Sequence, residues 1–384
     1  MDTGYSFELL VQAYFDCRRH KRNTASALRF EQNLERNLLV LHDDLTTGAY
    51  HPGRSICFAI TRPRPREVWA ADFRDRIVHH LLYNQIAERF HRRFIADSCA
   101  CIPGRGTLYA AQRLEAKIRS QTQNWSIPGW YCKMDLANFF VSIDKRILWP
   151  MMAEHIPERW WRMLAKLLLF HDPRLDYELR GDPGALSAVP AHKRLMNAGL
   201  WCGLPIGNLN SQFGANVLLN ALDQHAKHVI GARHYIRYVD DFVLLHESPQ
   251  WLNDARASIE AFLPGLGLAL NPRKTIIQPI ARGVDLAGHV IKPWRREVRR
   301  RTIHSALTAI EAKPEGETLE TINSYLGLLR HADGYQDRST IARAARKRGH
   351  SVTWNATKAY QKGKQNVVQK PENLPPQRRL ESTH

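Results

Sequence analysis

The feature that most constrains this chain is a pair of adjacent aspartates, Asp240 and Asp241, in the middle of HYIRYVDDFVLLHE. β-Branched and aromatic residues flank the pair on both sides, and such residues favour extended, half-buried backbone. The segment predicts a β-hairpin whose tip carries Val239, Asp240 and Asp241. Adjacent carboxylates repel each other, so this tip costs stability unless a cation stands beside it. Well upstream, the strand-like run WYCKMDL from Trp130 carries Asp135 near its end. An isolated Asp-Asp is most often a solvated turn. Two flanking strands and a third strand ending in Asp135 turn the reading towards a metal site. Hard Mg²⁺ prefers oxygen ligands and binds through one or two carboxylates plus substrate phosphates. Two such ions ~3.5–4 Å apart serve in-line displacement at phosphorus, with Mn²⁺ as the substitute ion.

Charge supports a phosphate-bearing partner. The 384 residues include 55 Lys and Arg against 37 Asp and Glu, a formal net charge of +18. Neutralising phosphates with cationic side chains releases condensed counterions and drives nucleic-acid binding. Membrane-surface and ribosome-associated proteins share this balance, so charge alone specifies no reaction. The 44% of hydrophobic residues suffices for a large core, and the length suits two or three packed units. No apolar run reaches the ~18 residues of a membrane-spanning helix, and the N-terminal segment lacks the apolar stretch of a signal peptide. Cys17, Cys57, Cys99, Cys101, Cys132 and Cys202 are scattered, and Cys99 and Cys101 lie too close for the usual zinc spacings. A reduced cytoplasmic protein without structural zinc or membrane contact is the expectation.

Apolar spacing predicts helices over 4–48, 77–90, 108–120, 208–229 and 250–262, and through most of the chain from 301. A further helix is expected from Ser142. Strands are expected at 55–61, from 130, at the Asp-Asp hairpin, and around 266–278 and 284–293. A Pro/Arg loop at 62–66 and the Gly-rich loop PGRGT at 103–107 punctuate the first third. Turn chemistry with three prolines makes 171–200 an irregular insert, and the basic end of the chain reads as a disordered tail.

Taken together, the motifs resemble those of reverse transcriptases. YVDD resembles their active-site box, and MDLANFFVSI their first catalytic segment, with Asp135 as metal ligand and Phe140 five residues on. GLPIGNLNSQFGANVLLN looks like the loop and helix along the incoming nucleotide, RKT at 273–275 like the segment that brings Lys274 near the triphosphate, and VDLAGHVI like the primer-grip hairpin. Bacterial reverse transcriptases mostly carry Gln-Gly and Ser-Pro in the nucleotide loop, where this chain has Ile206-Gly207 and Ser211-Gln212. That form resembles reverse transcriptases of diversity-generating retroelements, as do PRPREVWAADFRDRIVHHLL, FIADSCACIPGRGT, VRRRT and INSYLGLLRHADGY. Departures are Leu286-Ala287-Gly288-His289 for the usual Phe-Leu-Gly-Tyr, Asn210 for Thr, and Cys99 for Tyr.

The resemblance implies an α+β, right-hand polymerase fold. Residues 1–129 would form an N-terminal helical segment and fingers, and 130–300 a ferredoxin-like palm of antiparallel sheet and helices, with the insert at 171–200. Residues 301–350 would form a helical thumb, and 351–384 the basic tail. It implies an RNA-directed DNA polymerase using two Mg²⁺ ions, RNA template, RNA/DNA hybrid and dNTPs. A small basic accessory protein and a structured retroelement RNA would be its partners. Asp135, Asp240 and Asp241 are the implied metal ligands, with the Leu136 carbonyl on the nucleotide-bearing ion. Nucleotide contacts fall on Arg66, Arg74, Phe140, Ile206, Gly207, Gln212 and Lys274; for Arg74 and Arg76, salt bridges to Asp72 or Asp75 are the alternative. Nucleic-acid contacts fall on Arg105, Tyr238 and Gly288 and on the run Arg295, Arg296, Arg299, Arg300 and Arg301, which also fits a solvated face. Phe140 would exclude a ribose 2′-OH. Ile206, unable to hydrogen-bond where relatives carry Gln, implies error-prone synthesis, chiefly opposite template adenines. A group II intron-like or defence-associated reverse transcriptase and a non-catalytic RNA-binding scaffold are the competing readings. Val239, where RNA-dependent RNA polymerases usually carry Gly, disfavours that class.

Overall fold

In the computed structural model, residues 5–19, 24–61 and 64–361 are described. Residues 62–63 of the Pro/Arg loop and 362–384 of the expected tail lie outside the described residues. The chain divides into two compact units, Met1–Ile280 and Ala281–His384.

The first unit opens with helices α1 (Phe7–Arg18), α2 (Ala25–Glu31) and α3 (Leu34–Thr47). In α3, Leu38, Leu41 and Leu45 recur at helical spacing and are buried, and Gly48 ends the helix in the left-handed region at φ +78°. Thr24 caps α2 by accepting from the Ala27 N–H. Strands β1 (Ser55–Ile60) and β2 (Arg66–Ala70) pair antiparallel. Helix α4 (Phe73–His91) follows, capped by Asp72, which accepts from the Arg74 N–H. Next come α5 (Thr107–Gln121), β3 (Trp130–Asp135), α6 (Phe139–Ser142), α7 (Lys145–Ala153) and α8 (Arg159–Phe170). The helix expected from Ser142 starts earlier as one short turn and restarts at Lys145, where Asp144 accepts from the Arg146 N–H and caps it.

The segment 171–200 is less irregular than its turn residues suggest. Its β4 (Tyr177–Leu179) adds parallel to β1, and α9 (Pro183–Ser187) is capped by Asp182. Glu67 on β2, buried at 2% exposure, accepts from the backbone N–H groups of Leu195 and Met196 and ties the end of the insert to β2. Helix α10 (Leu209–Gln224) runs into a π-turn at His225–Val229, then β5 (His234–Tyr238), β6 (Asp241–His246), α11 (Pro249–Phe262) and β7 (Ile276–Pro279) complete the unit.

Strands β5, β6, β3 and β7 form an antiparallel sheet in that order. Cys132 pairs with Leu244 and Met134 with Phe242, and all four join the main apolar core. Alternation along the strands then puts Lys133 and Asp135, with Val243 and Asp241, on the opposite face. The register therefore fixes which side of the sheet can carry chemistry.

In the second unit, β8 (Val284–Leu286), β9 (His289–Lys292) and β10 (Arg295–Val298) form an antiparallel meander. Ala287 and Gly288 link the first two strands at φ +49° and +90°, the sign pattern of a type I′ hairpin turn. Helices α12 (Arg300–Glu311), α13 (Thr318–Leu329) and α14 (Tyr335–Lys347) pack around Ala306, Ile310, Ile322, Leu326 and Ile341. Residues 351–361, expected as the start of a disordered tail, instead continue into a hairpin of β11 (His350–Val352) and β12 (Ala359–Gln361). The Asn323 side chain explains this order: it donates to the Ala359 carbonyl at 3.0 Å and accepts from its N–H at 2.7 Å. Ala359 is buried in the helical core.

Candidate active site

Asp135 is the last residue of β3 and Asp241 the first of β6, and the two stand directly opposite in the ladder. Tyr238 pairs with Asp241, leaving Val239 and Asp240 as a two-residue turn. Val239 has φ +56°, a conformation costly for a β-branched residue. Such outliers persist where the surroundings impose them and cluster at functional sites. The turn is stitched to β3 by the Leu136 N–H, which donates to the Asp240 carbonyl at 3.3 Å. Asp135 is held from the other side: the Asn271 N–H donates to its carbonyl at 2.7 Å and the Asn271 Nδ2 to its Oδ1 at 3.2 Å. Lys274 Nζ donates to the same Oδ1 at 2.6 Å.

The electrostatics follow from this crowding. Burial pushes the Asp241 carboxyl up to about 6, aided by its hydrogen bond to Asp135 and the negative charges of Asp240 and Asp135, with Lys133 opposing. Asp240 is also raised, first by burial and then by the charge of Asp135, while Lys274 and Arg66 pull it down. The cluster thus lacks positive charge, with Lys274 supplying part of it. Among the described residues, no group of three or more His, Cys, Asp or Glu side chains is arranged to hold a metal ion alone. Oxygen-only donors and a deficit of positive charge fit a hard divalent cation whose shell substrate phosphates and water would complete.

Residues 203–208 run between these carboxylates' neighbour α6 and strand β2. The Gly203 N–H donates to the Ile143 carbonyl and the Leu204 N–H to the Phe140 carbonyl, each at 2.8 Å. The Trp69 N–H donates to the Ile206 carbonyl at 2.8 Å, and the Ala71 N–H to Asn208 Oδ1 at 3.2 Å. Gly207 sits at φ +120°, and a Cβ there would lie 3.0 Å from both the Trp69 carbonyl oxygen and Val68 Cγ1. Only glycine fits that approach. Phe140 and Ile206 are half-buried, and Gln212 is exposed on the first turn of α10. Arg66 is exposed at the start of β2 and acts electrostatically on Asp240. Tyr238 is half-buried at the end of β5.

Arg74 and Arg105 engage partners within the chain. Arg74 pairs with Asp44 at 2.5 Å and Asp75 at 3.6 Å, donates to the His51 carbonyl and lies 4.9 Å over the Tyr50 ring. Its fork anchors the start of α4 to the α3–β1 connection, and of the salt bridges expected for it the one to Asp75 is present. Arg105 donates to the Ile95 and Ser98 carbonyls, both at 2.7 Å, and so clamps its own loop. In the second unit, Arg295 pairs with Glu297 at 2.6 Å and Arg299 with Asp285 at 2.5 Å. The Arg296 N–H donates to Asp333 Oδ2, Arg300 and Arg301 are exposed at the start of α12, and the Gly288 carbonyl accepts from the Arg299 N–H. Asn271 and Lys133 were not singled out from sequence. Asn271-Pro272 is a turn-initiating dipeptide, and that signal marks the cap that aims Lys274 at Asp135.

Residues 62–291 match the family described as reverse transcriptase (RNA-dependent DNA polymerase), and this span is more than half of the chain. The chain belongs to that family. Its α+β architecture of helices and antiparallel sheets is accordingly of the polymerase type. Similar solved structures include telomerase from Candida albicans in complex with a TWJ fragment of telomeric RNA, at 13% identity and a TM-score of 0.44. Alignment there covers 77% of this chain and 55% of that one. Another is apo telomerase from Candida tropicalis truncated from its C-terminal domain, at 12% identity and a TM-score of 0.45, covering 67% and 59% respectively. The chain thus spans less than two thirds of either. No curated protein sequence matches it. All six cysteines are free thiols. Among the described residues no helix is long and apolar enough to cross a membrane.

Proposed function

We propose that this chain is an RNA-directed DNA polymerase that adds dNTPs to a primer 3′-OH on an RNA template. The observation that carries the reading is the ladder pairing of Asp135 with Asp241, beside the strained turn that presents Asp240. Asp135 and Asp240 would hold two divalent ions of the Mg²⁺ class, with Asp241 beside them and the Leu136 carbonyl on the nucleotide side. When bound, such ions lower the pKa of the attacking hydroxyl and offset charge developing on the triphosphate. The protein's own part is positioning and electrostatics. Lys274, now on Asp135, is in reach of a phosphate that shares that site, and Arg66 supplies a second cation from β2. Phe140, its carbonyl pinned by the loop that carries Ile206, is the candidate gate against a ribose 2′-OH.

The finer reading is error-prone cDNA synthesis of the diversity-generating retroelement type, with a structured RNA and a small basic accessory protein as partners. Its support is Ile206 in the nucleotide loop. Only the backbone carbonyl of that residue is engaged by Trp69, and the aliphatic side chain offers the nascent pair no hydrogen bond. Fingers, palm and thumb would correspond to 1–129, 130–300 and 301–350.

The test is primer extension on a defined RNA template, followed by sequencing of the cDNA. Mg²⁺-dependent extension that disappears in Asp240→Ala, with errors concentrated opposite template adenines, is the expected result. An Asp240→Ala protein that extends as well as wild type defeats the site. Extension with evenly spread errors defeats the retroelement reading alone and favours another bacterial reverse transcriptase class.

A further inference from the structure

A buried polar cluster stands behind the Val239–Asp240 turn. Arg237 on β5 and Asp223 on α10 are both 0% exposed. Arg237 Nε donates to Asp223 Oδ1 and Nη2 to Asp223 Oδ2, each at 2.7 Å. The guanidinium then reaches outward in three directions. Its Nη1 donates to the Val239 carbonyl at 3.0 Å and to Asn216 Oδ1 at 3.1 Å, and its Nη2 donates to Ser98 Oγ at 2.8 Å. The Tyr235 hydroxyl donates to Asp223 Oδ1 at 2.7 Å. Along the backbone, the Arg237 N–H donates to the Asp97 carbonyl and the Cys99 N–H to the Arg237 carbonyl, each at 2.9 Å. One side chain therefore ties α10, the segment around Ser98 and the catalytic turn together.

Burying this pair is a poor way to gain stability, since well-packed apolar residues often serve as well. What apolar residues cannot do is hold a carbonyl. Val239 is that carbonyl's owner, and it carries the positive φ that sets the turn. We propose that Arg237, with Asp223 as its counter-charge, is a positioning residue: it holds the Val239 turn and so keeps Asp240 and Asp241 opposite Asp135. The proposal rests on the polymerase reading of these carboxylates. Lysine cannot replace the arginine, because a single ammonium lacks the planar fork that serves Asp223, Ser98, Asn216 and Val239 at once.

Two variants test it. Arg237→Lys retains the charge. A triple variant, Arg237→Met with Asp223→Leu and Tyr235→Phe, removes the pair without leaving a buried charge alone; Ser98, Asn216 and the Val239 carbonyl lose a donor, so it should fold with a melting temperature several degrees below that of wild type. Both are expected to turn over on the order of 10–100-fold more slowly and to need about tenfold more Mg²⁺ for half-maximal rate. KM for dNTP and affinity for template–primer should stay within about twofold, which general unfolding would not produce. Mn²⁺ titration of the free protein, followed by electron paramagnetic resonance, should show the same loss of affinity without any turnover. Wild-type rate and Mn²⁺ affinity in a folded Arg237→Lys or triple variant overturns the proposal. If the triple variant does not fold, Arg237→Lys decides. A wild-type protein that binds Mn²⁺ at these carboxylates yet extends no primer counts against the polymerase reading, and the titration still tests the positioning role.

Discussion

Replacing Asp241 by asparagine should make the metal-free protein more stable while removing its activity. The carboxyl is held at about 6 by burial and by its acidic neighbours, against a usual value of 3.8. A raised carboxyl pKa means that ionisation is harder in the folded chain than in the unfolded one. The cost is absent below pH ~4, grows as pH rises through the window between the two values, and is complete above about 6. At roughly 1.4 kcal/mol per tenfold change in proton affinity, the folded state loses about 2–3 kcal/mol at pH 7.5. Asparagine keeps the shape and carries no charge. Thermal unfolding in EDTA at pH 7.5 should therefore show Asp241→Asn melting higher by about 4–12 °C, given about 2–4 °C per kcal/mol for a unit of this size. The gap should close towards pH 4.5. Adding Mg²⁺ should raise the wild type more than the variant, because the cation relieves the repulsion that asparagine never had. If Asp241→Asn is less stable than wild type at pH 7.5 without metal, the carboxylates are not electrostatically strained, and the case for a cation site loses its physical basis.

Three further substitutions probe the nucleotide side. Gly207→Ala puts a Cβ 3.0 Å from the Trp69 carbonyl at φ +120°, so KM for dNTP should rise several-fold with a stability loss of about 1–2 kcal/mol; unchanged kinetics would show that the loop is slack. Phe140→Ala should admit ribonucleotides, measured as the ratio of kcat/KM for dNTP over NTP, and an unaltered ratio moves the gate to another residue. Ile206→Gln should narrow the error spectrum in sequenced cDNA, most visibly opposite template adenines, and an identical spectrum means that Ile206 serves packing alone.

The sheet was legible because its signals are local. WYCKMD and YIRYVDDFVLL are dense in residues that fit a pleated, half-buried surface, and they lie where β3, β5 and β6 form. Their pairing was also legible in outline, since three carboxylates at strand ends make sense only together. The positive φ of Val239 was not, because no local preference of valine suggests it; it belongs to a tight two-residue turn whose carbonyl Arg237 holds, with Asp223 and Ser98 fixing that guanidinium from segments distant in sequence. The partners of Arg74 and Arg105 within the chain, Asp75 apart, were not legible either. A guanidinium in the right stretch of sequence is equally suited to Asp44 or to a loop carbonyl, and only the fold shows which partner is near. The hairpin at residues 350–361 is hidden in the sequence for a related reason. Its polar sequence carries little apolar signal, and its order comes from Asn323 on a helix distant in sequence.

The most direct measurement is anomalous diffraction from crystals of the protein grown with template–primer, an incoming dNTP and Mn²⁺. Two peaks are expected, both within coordination distance of Asp135 and Asp240, with the nucleotide phosphates completing their shells. Strong Mn²⁺ peaks in an extension-competent complex that leave these carboxylates untouched would contradict the assignment of the site.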